Sequence, residues 1–388
     1  MFKTRIMTPG PTPLLPEAHI AMAGPIPHHR TDEFRQIFLE TRSLLQYYFD
    51  TQNEVLIFAS SGTGAMEGAM ANLLSAGDRA LVIAAGKFGE RWAEIAQAYS
   101  IDARVMSIAY GEAVPPQEVE ERLQTEPRIK AVFVQATESS TGVRHDIERL
   151  GAIVSNHPET CLVVDAITGL GVMEVATDRW HLDVVIGGSQ KATMLPPGLA
   201  FVSVSEKAWA MIRKSTSPRY YFDFQKERES QRRGESAFTP AIPLVIGLKT
   251  SLEQIRSFRR EALIANAALL ALATRSAAEA LGLKLFARSA PSDALTTLCA
   301  PPGMDSGRIV EAFKNHFGVV IANGQGDMKG KVFRIAHLGY YDFYDALATI
   351  ACLEIILKQL GADVELGTGV KAAEGVFLKS LEHSEGSC

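Results

Sequence analysis

The sequence predicts an α/β fold: a mostly parallel central sheet in a large domain with helices on both faces, and a smaller C-terminal α+β domain. Three observations carry that prediction. Short apolar, β-branched runs recur from Glu54 to about Ser205, helical periodicity fills the gaps between them, and from Ala241 the pattern changes to two long helices followed by short strands. Apolar runs of this kind belong to strands buried on both faces, and helical crossovers between them favour parallel neighbours.

In chain order, residues 1–30 are rich in Pro and His (MTPGPTPLLPEAH, then GPIPHHRTDEF) and read as an irregular arm, because prolines interrupt any helix. From Asp32 to Tyr48 apolar residues recur at helical spacing, with Thr31 as the cap. EVLIFAS then leads to a helix from about Gly64 to Leu74, RALVIAA to one from about Gly89 to Tyr99, and DARVMSIAY to one from about Pro116 to Gln124. KAVFVQAT, CLVVDAI, DVVIGG and LAFVSVS continue the strands, with a helix from about Ile147 to Asn156 between the first two. Ile242 to Arg256 and Glu261 to Leu281 read as long helices. They are followed by strands at KLFAR, ALTTLCA, GVVIAN and VFRIAHL, a helix at Ser306 to His316 and a last helix ending near Leu360. The division expected is an arm at 1–30, a large domain at 31–255, a small domain at 256–362 and a peripheral, Gly-, Glu- and Ser-rich tail at 363–388.

Composition narrows the class. A chain of 388 residues, 47% hydrophobic and 21% charged, has the make-up of a soluble enzyme, and a net charge of -5 argues against a nucleic-acid partner. MFKTRIMTPGPTPLL lacks an apolar signal core and no run approaches membrane-spanning length, so a cytoplasmic location is expected with no membrane partner. Cys161, Cys299, Cys352 and Cys388 are widely spaced and form no CxxC pair, which fits a reducing compartment and no metal site.

The chemistry falls at the C-terminal ends of the predicted strands, where ligands of such sheets bind. DVVIGGSQKATMLPP ends a buried strand in glycines and then offers Lys191 to the interior, where a lysine is costly unless its charge is paired or lost. Ser61, Gly62, Thr63 and Gly64 stand at a strand-to-helix junction, where small residues, hydroxyls and free N–H groups suit a phosphate as well as a plain helix cap. Asp165 closes CLVVD and needs a cationic or N–H partner; such a carboxylate suits a protonated heteroaromatic nitrogen, or caps the next turn. ESSTG, after KAVFVQAT, brings hydroxyls to the same line, and Phe88 in KFGERW offers a flat face to a ring, though core packing is the commoner use of an aromatic. Together these are the requirements of a pyridoxal 5'-phosphate site: phosphate anchors, a ring-stacking aromatic, Asp165 to keep the pyridine nitrogen protonated and Lys191 to form the Schiff base.

Nine segments, TPGPTPL, HHRTDEF, SSGTGAMEGAMANL, GKFGERW, ESSTGV, VVDAITGLG, GGSQKATMLPPG, FTPAI and VFRIAHLG, span residues 8–339. As an ordered set they resemble the class V, fold-type I pyridoxal-phosphate aminotransferases, in particular the alanine–glyoxylate and serine–glyoxylate (serine–pyruvate) group. The resemblance implies that Lys191 carries the cofactor and Gln190 touches its phosphate, with Ser61, Gly62 and Thr63. It further implies that Phe88 stacks on the ring, Ser139 contacts it and Asp165 pairs with its nitrogen. It implies a homodimer with sites at the interface, in which Thr239 reaches the phosphate of the neighbouring subunit, and an Arg334 that grips the substrate α-carboxylate. Ser236 stands where animal alanine–glyoxylate members have a tyrosine that also reaches that phosphate. Arg334 supports its role independently: an arginine inside a short apolar strand cannot shed its charge and needs an anion, and its planar fork suits a carboxylate. His337 and Tyr340 lie nearby, with packing the expected use of both.

The expected reaction moves an amino group from a small α-amino acid, alanine or serine, to an oxo acid such as glyoxylate or pyruvate. An aspartate-preferring transaminase stays open, with Arg30, His28 and His29 as candidates for a second carboxylate. So do a lyase using the same lysine and aspartate, and a non-catalytic partner protein of the same fold; none of the cysteines resembles the mobile cysteine of a desulfurase.

Overall fold

A computed structural model describes residues 3–385. Its centre is a seven-stranded sheet in the order Glu54–Ser60, Gly198–Val204, Val184–Gly188, Cys161–Asp165, Ile129–Gln135, Arg79–Ala84, Asp102–Ser107. Gly198–Val204 runs antiparallel to both of its neighbours, and the remaining pairings are parallel. Six strands therefore end at one edge of the sheet, and the antiparallel strand begins there.

Alternation along each strand divides the core between two faces. Leu81, Ile83, Val132, Val134, Leu162 and Val164 pack into one buried cluster. Their immediate neighbours Ala80, Val82, Ala131, Phe133, Cys161 and Val163 pack into another on the opposite face. Helices Gly62–Leu73 and Lys87–Ala98 come directly after the Glu54–Ser60 and Arg79–Ala84 strands, so the strand ends and the helix starts share one edge. The first long helix, Asp32–Phe49, starts where Thr31 accepts from the Phe34 N–H and stops at Asp50, which takes a left-handed conformation.

The C-terminal part packs a third cluster around an antiparallel sheet with Val332–Ala336 in the middle, flanked by Leu295–Cys299 and Ala322–Asn323. KLFAR, expected as a strand, makes only the isolated bridge of Leu285 to Leu298. GVVIAN is broken into Val319–Val320 and Ala322–Asn323, and the first of these pairs in parallel with Arg5–Ile6. The N-terminal arm is thus tied into the C-terminal part, and it contains a short helix, Pro16–Met22, started by its proline.

The tail expected to be peripheral carries a helix, Thr368–Glu385, packed along Arg260–Ala280 with Ala373 and Phe377 buried. Its polar composition conceals an apolar spacing of Val370, Ala373 and Phe377 on one face. Buried Glu354 accepts from the N–H groups of Gly367, Gly369 and Val370 and so fixes where the helix starts. Among the described residues no helix is long and apolar enough to cross a membrane, and no group of His, Cys, Asp and Glu is placed to hold a metal. Cys161, Cys299 and Cys352 are free thiols, and Cys388 lies outside the described residues.

Candidate active site

At the edge where the strands end, a cavity of about 270 Å³ is lined by Ser61, Gly62, Thr63, Phe88, Ser139, Asp165, Gln190 and Lys191. They come from separate segments of the chain, and the sheet brings them together because each ends or succeeds a strand that points to this edge.

Ser61 is the N-cap of the Gly62–Leu73 helix, yet its hydroxyl caps nothing within the helix. Ser61, Gly62 and Thr63 line the cavity, and the hydroxyl with the N–H groups of Gly62 and Thr63 offers a seat for an anion, reinforced by the helix dipole, while the Gly64 N–H is taken by the Ser61 carbonyl. Phe88 lies in the first turn of Lys87–Ala98, and the Arg91 guanidinium sits 4.9 Å from its ring centre while donating to Thr63 Oγ1 at 3.0 Å. Gln190 turns a buried Oε1 without a hydrogen-bond partner among the described residues.

Asp165 is buried and accepts from the Ile167 N–H at 3.0 Å. Burial pushes its carboxyl up to about 6, against the pull of that N–H, and the Glu138 charge adds to the rise. Lys191 is pushed down to about 8, chiefly by burial, with Asp165 pulling it up and Arg334 pushing it further down. Its ε-amine donates to the carbonyl of Pro9 on the N-terminal arm. Thr12 seals the other side, its N–H bonding to the Gln190 carbonyl and its hydroxyl to the Lys191 carbonyl. A lysine so placed is a nucleophile and a proton acceptor near neutral pH rather than a fixed cation.

Arg334 borders the cavity through Ser139, to whose carbonyl its Nη1 donates at 2.7 Å; Nε and Nη2 donate to the Asn323 carbonyl at 3.2 and 2.7 Å. Among the described residues no carboxylate pairs with it, and burial lowers it to about 10, with Glu138 opposing. A buried guanidinium held only by carbonyl oxygens is a cation waiting for an anion.

Other predicted residues lie apart. Thr239 is exposed and lines a small separate pocket with Phe238 and Tyr221, and the Ser236 hydroxyl is taken up by the Phe238 carbonyl. Arg30 and His28 are exposed on the arm and line no part of the cavity, and neither does the half-buried His29. His337 is buried and bonded through Nε2 to Thr296 Oγ1 at 2.8 Å, pushed down to about 3 by burial, so it packs rather than reacts; Tyr340 lines a different groove.

Three features of the site go beyond the residues singled out from sequence. Arg91 stands three residues after Phe88, a spacing that puts both on one helix face and is the signal that could have revealed it. Glu138 opens ESSTG, where the neighbouring hydroxyls are the more obvious ligands. The closure of Lys191 by Pro9 and Gly10 is a contact between distant segments that no local pattern announces.

The residues present fit a flat, phosphate-bearing ring with an aldehyde. The uncommitted Ser61 hydroxyl and the donor NH₂ of Gln190 at the cavity suit a phosphate, Asp165 accepts one N–H and lines the cavity, and Lys191 is an amine of lowered basicity. Fold and cavity together define a fold-type I pyridoxal-phosphate enzyme. A family profile described as Aminotransferase class-V matches residues 20–328, and the chain belongs to that family. It is 41% identical over 379 residues to a "Soluble hydrogenase, small subunit" of Synechococcus sp., covering 97% of this chain and 98% of the relative. It is 35% identical to an L-aspartate–glyoxylate aminotransferase of Paracoccus denitrificans, covering 95% of each. It is 32% identical to a serine–glyoxylate aminotransferase of Methylorubrum extorquens, covering 96% of this chain and 95% of the relative. Among solved structures, an aspartate aminotransferase of subgroup IV from Thermus thermophilus superposes with a TM-score of 0.85 at 37% identity, covering 92% of this chain and 99% of that one.

Proposed function

We propose that this chain is a pyridoxal-phosphate-dependent transaminase that moves an amino group from a small α-amino acid, alanine or serine, to glyoxylate. The observation that carries the reading is an amine of lowered basicity, Lys191, lining the cavity, with the buried guanidinium of Arg334, unpaired with any carboxylate among the described residues, bonded to the carbonyl of cavity-lining Ser139. When bound, the cofactor supplies an electron sink that makes the substrate Cα–H bond acidic. Ser61, Gly62, Thr63 and Gln190 would hold its phosphate, Phe88 would cover its ring, Ser139 would touch it, and the Asp165 carboxylate would keep its nitrogen protonated. Arg334 receives the substrate α-carboxylate in its planar fork and fixes the direction of the Cα–H bond. Lys191 Nζ, the amine that would carry the cofactor, would also serve as the base that takes up and gives back the substrate Cα proton, with the Pro9 carbonyl orienting it.

The choice of a small neutral donor rests on charge. Of the cations at the cavity, Arg334 is taken by the α-carboxylate and Arg91 donates to Thr63 and lies over Phe88, while Arg30 lies outside, so a side-chain carboxylate could be met only by drawing Arg91 away from those contacts. The names of the Paracoccus and Thermus relatives favour a second reading, with aspartate as donor. Single-turnover mixing of the holoenzyme with alanine, serine, aspartate and glutamate, following the visible absorbance, tests this. Alanine or serine should react fastest; aspartate reacting a hundredfold faster, about 2.7 kcal/mol in barrier, would overturn the small-donor choice.

A non-catalytic role, suggested by the hydrogenase-subunit name, would relax the need for Lys191, Asp165 and Arg334, and all three are present. We propose that the active form is a homodimer, a reading supported by Thr239, which is exposed and has no task in its own protomer's cavity. Sedimentation showing an active monomer would contradict this.

A further inference from the structure

Gly86, the residue before the Lys87–Ala98 helix, has no side chain with which to cap it. The cap comes instead from a loop 50 residues downstream. Ser140 Oγ accepts from the Lys87 N–H at 3.0 Å, and Glu138 Oε2 accepts from the N–H groups of Phe88 and Gly89 at 3.1 and 2.9 Å. The other carboxylate oxygen, Oε1, accepts from the Ser140 N–H at 3.1 Å and its hydroxyl at 2.6 Å. A Cβ on Gly86 would stand 2.6 Å from Glu138 Cδ, so the glycine is what lets the carboxylate reach the helix start.

Glu138 is fully buried, and each of its oxygens receives two hydrogen bonds from donors. Three of these donors are N–H groups that cannot accept, so a protonated carboxyl could place its O–H only toward the Ser140 hydroxyl; the four hydrogen bonds favour the anion, against burial, which pushes the carboxyl up. Between the two capping residues, Ser139 lines the cavity and its carbonyl accepts from Arg334. One tripeptide thus fixes the main chain of Phe88 on one side and Arg334 on the other.

We infer that Glu138 is an anionic positioning residue, which holds the Phe88 ring in place through the Lys87–Ala98 helix start and partly offsets the charge that Arg334 presents to a substrate carboxylate. The inference rests on the transaminase reading. The Coulombic influence of Glu138 reaches both Arg334, whose protonated form it favours, and Asp165, whose ionised form it disfavours. Glu138→Gln keeps the shape, removes the charge and sets an NH₂ group against backbone donors. Arg334 then attracts a carboxylate more strongly while Phe88 loses its anchor.

The test compares purified wild-type and Glu138→Gln holoenzymes by kcat per bound cofactor, KM for the amino donor, and visible circular dichroism per bound cofactor, which reports how rigidly the ring is held. Expected are a kcat at least about tenfold lower, a KM about threefold lower and a dichroic band reduced to about half or less. A simple folding role would lower only the fraction of active protein. Unchanged kcat, KM and dichroism per bound cofactor would therefore overturn the inference. Should Glu138→Gln not fold, Glu138→Asp decides: it keeps the charge, so KM should stay within about twofold while the dichroism falls. A full dichroic band, or a larger change in KM, would overturn the inference. A wild-type protein with no visible band and no turnover would instead defeat the transaminase reading, leaving the two failures distinguishable.

Discussion

The ε-amine of Lys191 donates to the carbonyl oxygen of Pro9, a residue 182 positions earlier in the chain. The arm that looks irregular in sequence is therefore part of the reactive centre. Gly10, at φ +131°, lies against the lysine so closely that a Cβ would come within 2.7 Å of Lys191 Cε and 2.9 Å of Cδ. Gly10→Ala is expected to slow cofactor attachment to the apoprotein by about tenfold or more and to lower stability by about 1–3 kcal/mol, from backbone strain and overlap together. Absorbance-monitored cofactor titration and thermal unfolding measure the two effects.

The lowered basicity of Lys191 sets a pH dependence. The neutral amine is the nucleophile, and with its titration near 8 it is mostly available from there upward, whereas an ordinary lysine would wait for about 10.4. The rate of cofactor attachment should climb with pH and level off above about 8, and Lys191→Ala should abolish both attachment and turnover while leaving the unfolding transition largely in place. A stopped-flow pH series on apoprotein provides the measurement.

Asp165 acts in the opposite direction. Its carboxyl titrates near 6, so acidification through that value removes the negative charge that holds a pyridinium, and cofactor affinity should weaken there. Asp165→Asn should retain much of its cofactor, because the phosphate contacts remain, yet lose turnover on the order of a hundredfold or more. Cofactor content by absorbance and kcat on the same preparation separate the two.

Arg334 should govern KM. Its guanidinium makes three hydrogen bonds to two carbonyls and pairs with no carboxylate among the described residues, so its remaining donors are free for a substrate carboxylate. Arg334→Gln should raise KM for every α-amino donor by about a hundredfold, the range for truncating one partner of a buried charge pair. Arg334→Lys should restore only part of that, since an ammonium cannot bridge the same positions as a planar fork. Steady-state kinetics with two donors of different side chain would show equal losses for both.

The sheet and the residues at its edge are legible in the sequence because their signals are local. Apolar runs ending in GG, VVD or SSGTG announce both the strand and the polar turn or helix start after it, and Lys191, Asp165 and Ser61 to Thr63 fall around one cavity. The features that stay hidden are held by long-range contacts. The Glu138 cap joins loops 50 residues apart, the arm closes over a lysine far down the chain, and Arg5–Ile6 pairs with Val319–Val320. The C-terminal helix is hidden for a different reason: its apolar residues are few against many Glu, Lys and Ser, and Glu354, a residue of the preceding helix, fixes its start.

Transfer of nitrogen between two amino acids tests the proposed function most directly. Holoenzyme supplied with nitrogen-labelled alanine or serine and unlabelled glyoxylate should place the label in glycine, with one molecule of oxo acid released per glycine formed and no ammonia. Label appearing as free ammonia would mark a lyase, and label remaining wholly in the donor, with labelled aspartate and glutamate run alongside and equally unreactive, would mark a protein that keeps the fold and the cavity without performing the reaction; either result would contradict the transaminase assignment.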